Sequence, residues 1–267
     1  MALTAVAVCN MSLGRLGHTQ ITTLTDTTPP AAKLAAEQCT LFYEQTRDSL
    51  LRSHTWRFAT VWANLAVDSA TVSGTSTGTG NTTLLLYDTG KSWTPDAYNT
   101  NYYLWITGGT GSGQIRDIAD TAATYLTVTN AFTTVPDSTS TYEVWQYYPP
   151  TPYDYRYSLP SDCLRIVKTS VADEGYELTG PRLKSDDDNV YVKYVQQITD
   201  PALFDPLFVE VLVLSLAAKL CRPLMLDKVM IPQLNAELTA ALAQARLVNL
   251  VETSRVDHDE TWNEARA

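Results

Sequence analysis

The sequence predicts an α+β fold: a four-helix bundle with a small sheet, interrupted by an inserted all-β domain. Three observations predict it. Four segments repeat apolar residues at helical spacing. A central stretch changes composition abruptly. Short β-patterned segments flank that stretch on both sides.

The first helix is expected over residues 4–16, where Leu3, Val6, Asn10, Leu13 and Gly17 fall on one stripe beside Cys9 and Leu16. The second spans 31–53, with Ala35, Cys39, Phe42, Thr46 and Leu50 in register and Tyr43 flanking. The pair Pro29-Pro30 precedes it, and proline suits a helix start. The chain then passes His54 into Trp56, Phe58, Val61 and Trp62, an alternation that reads as strand. The third helix, over 204–221, is apolar nearly all round and therefore central, and Pro223 follows it. The fourth runs from 232 to 250 with Leu234, Leu238, Ala241, Ala245 and Val248 on one face. Four such helices pack as a bundle. Residues 162–169 read as a buried strand. Segments 176–184 and 190–196 read as a hairpin around the Ser185–Asn189 turn.

Residues 67–150 differ sharply from their surroundings. Those 84 positions hold 19 Thr and 8 of the chain's 12 Gly, with only Lys91 and Arg116 as basic residues. Threonine and aromatics favour strands and glycine punctuates turns, so strands are expected at 82–87, 102–107, 114–119, 125–129 and 142–147. Pro149-Pro150-Thr151-Pro152 reads as a stiff boundary. The expected organisation is a discontinuous helical domain (1–66 and 151–251), an inserted β domain (67–150) and an extended C-terminal arm (252–267).

The net charge of −10 argues against tight phosphate binding, which needs clustered Lys and Arg. It fits the wall of a passage through which nucleic acid slides without sticking. Cys9, Cys39, Cys163 and Cys221 match no metal or disulfide spacing and read as reduced core thiols. The N-terminus has no basic n-region and reads as a helix rather than a signal peptide. The longest apolar run, 207–218, contains Glu210 and is too short for a membrane span.

Chemical motifs are weak. The Gly108–Gly113 string lacks the Lys-Ser/Thr of a phosphate loop, and a strand pattern follows it where a dinucleotide fingerprint needs a helix. A turn between strands is expected there, with no cofactor. The aspartates 186–188 are consecutive, whereas calcium loops space carboxylates at alternate positions, so a solvated turn is expected and no metal. His18, His54 and His258 have no nucleophile motif beside them, and Asp173-Glu174 reads as an exposed loop rather than a glycosidase pair. No catalytic residue is assigned. In the arm, Trp262 with Arg255, Val256 and Arg266 gives a partner something to hold. Fully extended, those 16 residues reach roughly 50 Å at ~3.3 Å per residue.

Several blocks, in order, resemble the head-to-tail adaptor (tail tubular protein A) family of short-tailed phages. They are Leu16-Gly17 followed by Ile21-Thr22-Thr23-Leu24, then Ala35-Ala36, Cys39, Tyr43 and residues 47–59 (RDSLLRSHTWRFA). Residues 157–165 (YSLPSDCLR) and Leu216-Ala217-Ala218 continue the series. The likeness covers about two thirds of the chain. It marks Trp56, Phe58, Leu159, Pro160, Asp162 and Arg165 as structural anchors. The insert resembles a recurrent phage tail β-module through residues 109–116 (GTGSGQIR) and 136–142 (PDSTSTY).

The resemblance implies a structural virion protein that is not an enzyme, assembled in the host bacterial cytoplasm and placed at the tail neck. It implies a dodecameric ring that joins the portal protein to a tail nozzle protein of the tail tubular protein B type, near tail fibres, and continues the DNA channel. Residues 252–267 become the portal-binding arm. The rival reading is a receptor- or glycan-binding tail protein acting through Trp93, Tyr98, Tyr102, Tyr103 and Trp105 of the insert. A second rival is a cell-wall hydrolase built into such an adaptor, for which no acid/base pair is evident.

Overall fold

The computed structural model describes residues 3–224 and 230–253. In chain order the elements begin with α1 (Ala5–Arg15), α2 (Pro30–Ser53), a 3-10 turn (Arg57–Ala59) and β1 (Thr60–Asn64). Then come β2 (Val72–Thr75), β3 (Leu85–Tyr87), β4 (Tyr102–Gly108), β5 (Ile115–Thr121), β6 (Tyr125–Val128) and β7 (Thr141–Gln146). They continue with β8 (Tyr155–Ser158), β9 (Cys163–Thr169), β10 (Tyr176–Thr179), β11 (Arg182–Ser185) and β12 (Tyr191–Gln196). The described chain closes with a 3-10 turn (Pro201–Leu203), α3 (Pro206–Leu220) and α4 (Met230–Thr253). These residues divide into two compact units, drawn from Met1–Ala63, Pro160–Ser170 and Tyr191–Ala267, and from Asn64–Leu159 and Val171–Val190.

In the first unit the helix ends follow local chemistry. Thr4 caps α1, its hydroxyl accepting from the Ala7 amide at 3.1 Å. Asp205 caps α3 by accepting from the Leu207 and Phe208 amides, with Pro206 in the first turn. Phe208, Val211, Leu212, Val213, Leu214, Leu216, Ala217 and Leu220 of α3 are all buried. A helix apolar on every side needs cover on every side. Helices α1, α2 and α4 all pack against α3, while α2 also meets β9 and β12.

This arrangement corrects the predicted four-helix bundle. The fold is β-rich: three separate sheets form among the described residues, the largest a curled antiparallel sheet of six strands. In the first unit the core is not closed by helices alone. Val195 of β12 and Leu164 and Val167 of β9 join the cluster built on α3. Helical spacing reports which face of a helix is apolar, and a sheet covers such a face as well as another helix does.

The sheet of the first unit has the order β1-β12-β9. β12 pairs antiparallel with β9, with Val192 opposite Thr169 and Tyr194 opposite Ile166. The hairpin expected around Ser185–Asn189 is therefore not formed. The hairpin is β10–β11, with Leu178 opposite Leu183, and Gly180 takes the left-handed backbone between them at φ 58°.

The second unit contains a six-stranded sheet in the order β2-β7-β4-β5-β6-β3 and a three-stranded sheet β10-β11-β8. Leu86, Leu104, Ile106, Leu126, Val128, Tyr142 and Val144 fill the core of the larger sheet. The buried Tyr142 hydroxyl donates to Asp88 at 2.6 Å. Burial, and then that bond, push the Tyr142 phenol well above its usual range. The glycine string is the turn joining β4 to β5. Gly109 has φ 71°, and a Cβ there would lie 2.1 Å from the Thr139 carbonyl oxygen.

Candidate interaction surface

The anchors marked in sequence lie where α2 ends. Trp56 is buried, its indole N–H donates to the Leu50 carbonyl at 2.9 Å, and its ring stands edge-on to Phe208 at 5.2 Å. Phe58 completes this cluster, 5.1 Å from Phe208 and 6.3 Å from Phe204. Arg165 of β9 donates to the Arg52 carbonyl at 3.1 Å and to the Thr55 hydroxyl at 2.9 Å. Arg52 in turn donates to the Leu164 carbonyl. The blocks 47–59 and 160–165 thus meet through charged side chains bonded to backbone. Asp162 accepts from Tyr194 and Gln196 of β12, and the Pro160 carbonyl accepts from the Cys163 amide. Leu159 lies in the second unit, its amide bonded to the Pro181 carbonyl. Arg255, Val256, Trp262 and Arg266 lie outside the described residues.

The Arg165 guanidinium suits this place because a helix C-terminus is electronegative. His54 follows the end of α2, but it resists taking a proton. Burial, and after it the charges of Arg246 and Arg165, hold its imidazole below the ordinary histidine range. Asn249 of α4 clamps the segment. Its Oδ1 accepts from the Arg57 amide at 2.8 Å, while its Nδ2 reaches the Thr55 carbonyl at 2.9 Å and His54 Nε2 at 3.1 Å. Beside this clamp lies a cavity of about 270 Å³ whose walls include Trp56, Phe58, Leu207, Ala245 and Val248.

Two apolar features of this unit face solvent. Leu247, Leu250 and Val251, at i, i+3 and i+4 on α4, form an outward ridge in which Leu247 is 63% and Val251 69% exposed. A groove of about 520 Å³ runs between α1 and α3, lined by Met11, Gly14, Val209 and Val213 with Arg15 and Glu210 at its rim. Gly14 presents no side chain to it. The predicted α4 stripe holds as far as Ala245. The outward ridge was not foreseen, although leucines and valines outside the stripe were visible at 247, 250 and 251.

In the second unit the aromatics proposed for sugar stacking are largely committed elsewhere. Trp93 belongs to the buried cluster of the six-stranded sheet, and Tyr98 and Tyr102 pack against it. A different aromatic group, missed in sequence, lies on the β10-β11-β8 sheet. Arg156 and Arg182 share the Asp68 carboxylate at 2.9 and 3.2 Å, and Ser158 donates to the same carboxylate. Arg156 lies over Trp145 at 4.7 Å, Arg182 over Tyr147 at 5.3 Å and Lys184 over Tyr148 at 5.3 Å.

Among the described residues, no group of three or more His, Cys, Asp or Glu is placed to hold a metal ion. Cys9, Cys39 and Cys221 are buried, Cys163 is half-buried, and none of the four is in a disulfide. No described helix is long and apolar enough to cross a membrane. No protein-family model matches this chain, and no curated protein matches it.

Proposed function

We propose that this protein is a structural head-to-tail adaptor of a short-tailed phage, working as a ring between portal and tail nozzle. One observation carries the reading beyond the sequence resemblance. The first unit offers both an outward apolar ridge, Leu247, Leu250 and Val251, and a separate apolar groove between α1 and α3. On this reading the α4 ridge of one copy seats in the α1–α3 groove of the next, a heterologous contact, and heterologous contacts close into rings when the rotation allows. Single exposed leucines need no explanation, but three on one helical face favour a buried partner.

On this reading the protein acts through contact surfaces, its partners being copies of itself in a dodecamer, the portal, the nozzle and neighbouring fibres. DNA passes through without sequence-specific contact, the charge of −10 repelling phosphates. α4 runs to Thr253 and so contains the first two residues of the segment assigned as portal-binding arm. Deleting residues 252–267 tests the role in the virion. The expected result is DNA-filled heads that fail to acquire tails. Normal tailed particles from that deletion would contradict the proposed arm.

A further inference from the structure

The geometry points to a binding site in the second unit for an acidic sugar, its carboxylate held by Lys184 and Arg182 and its ring stacked on Tyr147 or Tyr148. The site stands independently of the adaptor reading and uses none of the residues assigned to it.

The first ground is charge. Arg156 and Lys184 are direct cross-strand partners on β8 and β11, and Arg182 lies two positions from Lys184 on the same face. Like charges placed opposite each other across a sheet repel. Of these three cations, two share the Asp68 carboxylate, Arg156 and Arg182, and Lys184 is left without it. Lys184 is only 6% exposed, and its ammonium makes no hydrogen bond or ion pair with any described residue; its one partner is the Tyr148 ring. Glu177 lies opposite Lys184 on β10, but its carboxylate is turned to the Thr179 hydroxyl. The Arg182 Nε is buried and has only the Asp68 carboxylate beside it, at 3.2 Å and outside hydrogen-bond geometry. A lysine whose stem is packed away while its ammonium still meets solvent, with no protein acceptor, is a place for an anion to bind.

The second ground is the aromatic pair. Tyr147 and Tyr148 are 45% and 47% exposed, so each ring meets a cation on one side and offers much of its surface to solvent. Tyr147 is held at φ 64°, a backbone region that bulky residues avoid. Its amide donates at 2.7 Å to Asn101, itself at φ 60°. The bond to Asn101, a residue type that takes this conformation readily, holds the strained Tyr147 backbone with its ring over Arg182, and such strain persists where the surroundings over-determine it.

A bare phosphate would use the cations and leave the rings idle. A nucleic acid would use both but is opposed by the chain's charge of −10. A single carboxylate on a sugar, whose apolar C–H face can lie against an aromatic ring, uses both and adds one charge.

The test is calorimetric titration of the full-length protein with sodium glucuronate, with glucose and inorganic phosphate titrated separately. Glucuronate should bind saturably, glucose should not, and Lys184→Met should weaken glucuronate roughly tenfold or more, the scale of one charged hydrogen bond. Tyr148→Leu, at a half-exposed position, should do the same and keeps the test decisive if the buried substitution fails to fold. Absence of saturable glucuronate binding overturns the proposal. So does phosphate binding as tight as glucuronate and unchanged in Tyr148→Leu, which would mark an adventitious ion only.

Discussion

Trp56 stands edge-on to Phe208 with ring centroids 5.2 Å apart, so the segment leaving α2 is fastened directly to the central helix α3. Truncating the indole removes this contact and the bond to the Leu50 carbonyl, and leaves a large cavity. Trp56→Ala should cost about 3–5 kcal/mol. Urea unfolding followed by circular dichroism measures it, and a loss near zero would deny Trp56 its place as an anchor.

Asp68 is the one carboxylate shared by Arg156 and Arg182. Neutralising it leaves the buried Arg156 and the half-buried Arg182 without a counter-charge, and Asp68→Asn should destabilise the chain by about 3–5 kcal/mol. Adding Arg156→Met removes one of those cations, so the double variant should be more stable than the single one. Thermal melts of the two variants, taken side by side, read the difference.

His54 gives stability a pH dependence with a defined sign. Its folded-state pKa lies below the unfolded value of 6.5. Its contribution is therefore present above 6.5 and lost as pH falls through the depressed folded value, because the unfolded chain binds the proton more readily. In the fold, a neutral Nε2 can accept from Asn249; a protonated ring cannot. Unfolding free energy should fall from pH 7 toward pH 5, and His54→Gln should flatten that slope in denaturant titrations.

Gly109→Ala should destabilise the β4–β5 turn by about 1–3 kcal/mol, since it adds left-handed strain to a clash with the Thr139 carbonyl. Gly113→Ala, at φ 86° with open space around its Cβ, should cost less. Melting temperatures of the two variants test the order, and the reverse order would contradict the packing of this loop.

The legible parts of the fold were those set by local signals. Pro29-Pro30 and the apolar spacing of α2 and α3 mark helices, while the cap at Asp205 and Pro206, which starts α3 two residues later than the spacing suggested, went unread. β4 to β7 were legible because Thr and aromatic runs alternate with glycine turns. Partner choice was not. β12 could be recognised as a strand, but the Asp186–Asp188 run read as the turn of a hairpin, when β12 pairs with β9 and the β10–β11 hairpin lies between them in sequence. β2, Val-Ser-Gly-Thr, is too short and polar to announce itself. The same limit hid the site on β8 and β11. Asp68, Tyr147, Arg156 and Lys184 belong to no spacing pattern and meet only because the sheet brings them together. The Trp56 anchor was visible because its aromatics lie close in sequence. Its fastening to Arg165 depends on β9 returning beside α2.

The central claim is that the protein works by fitting against copies of itself and a portal. Mass photometry of the purified full-length chain, alone and with portal protein, tests it most directly. The account predicts a closed ring of about twelve copies on the portal, as the adaptor resemblance and a ring-closing heterologous contact require. A chain that stays monomeric at every concentration and ignores the portal would contradict it.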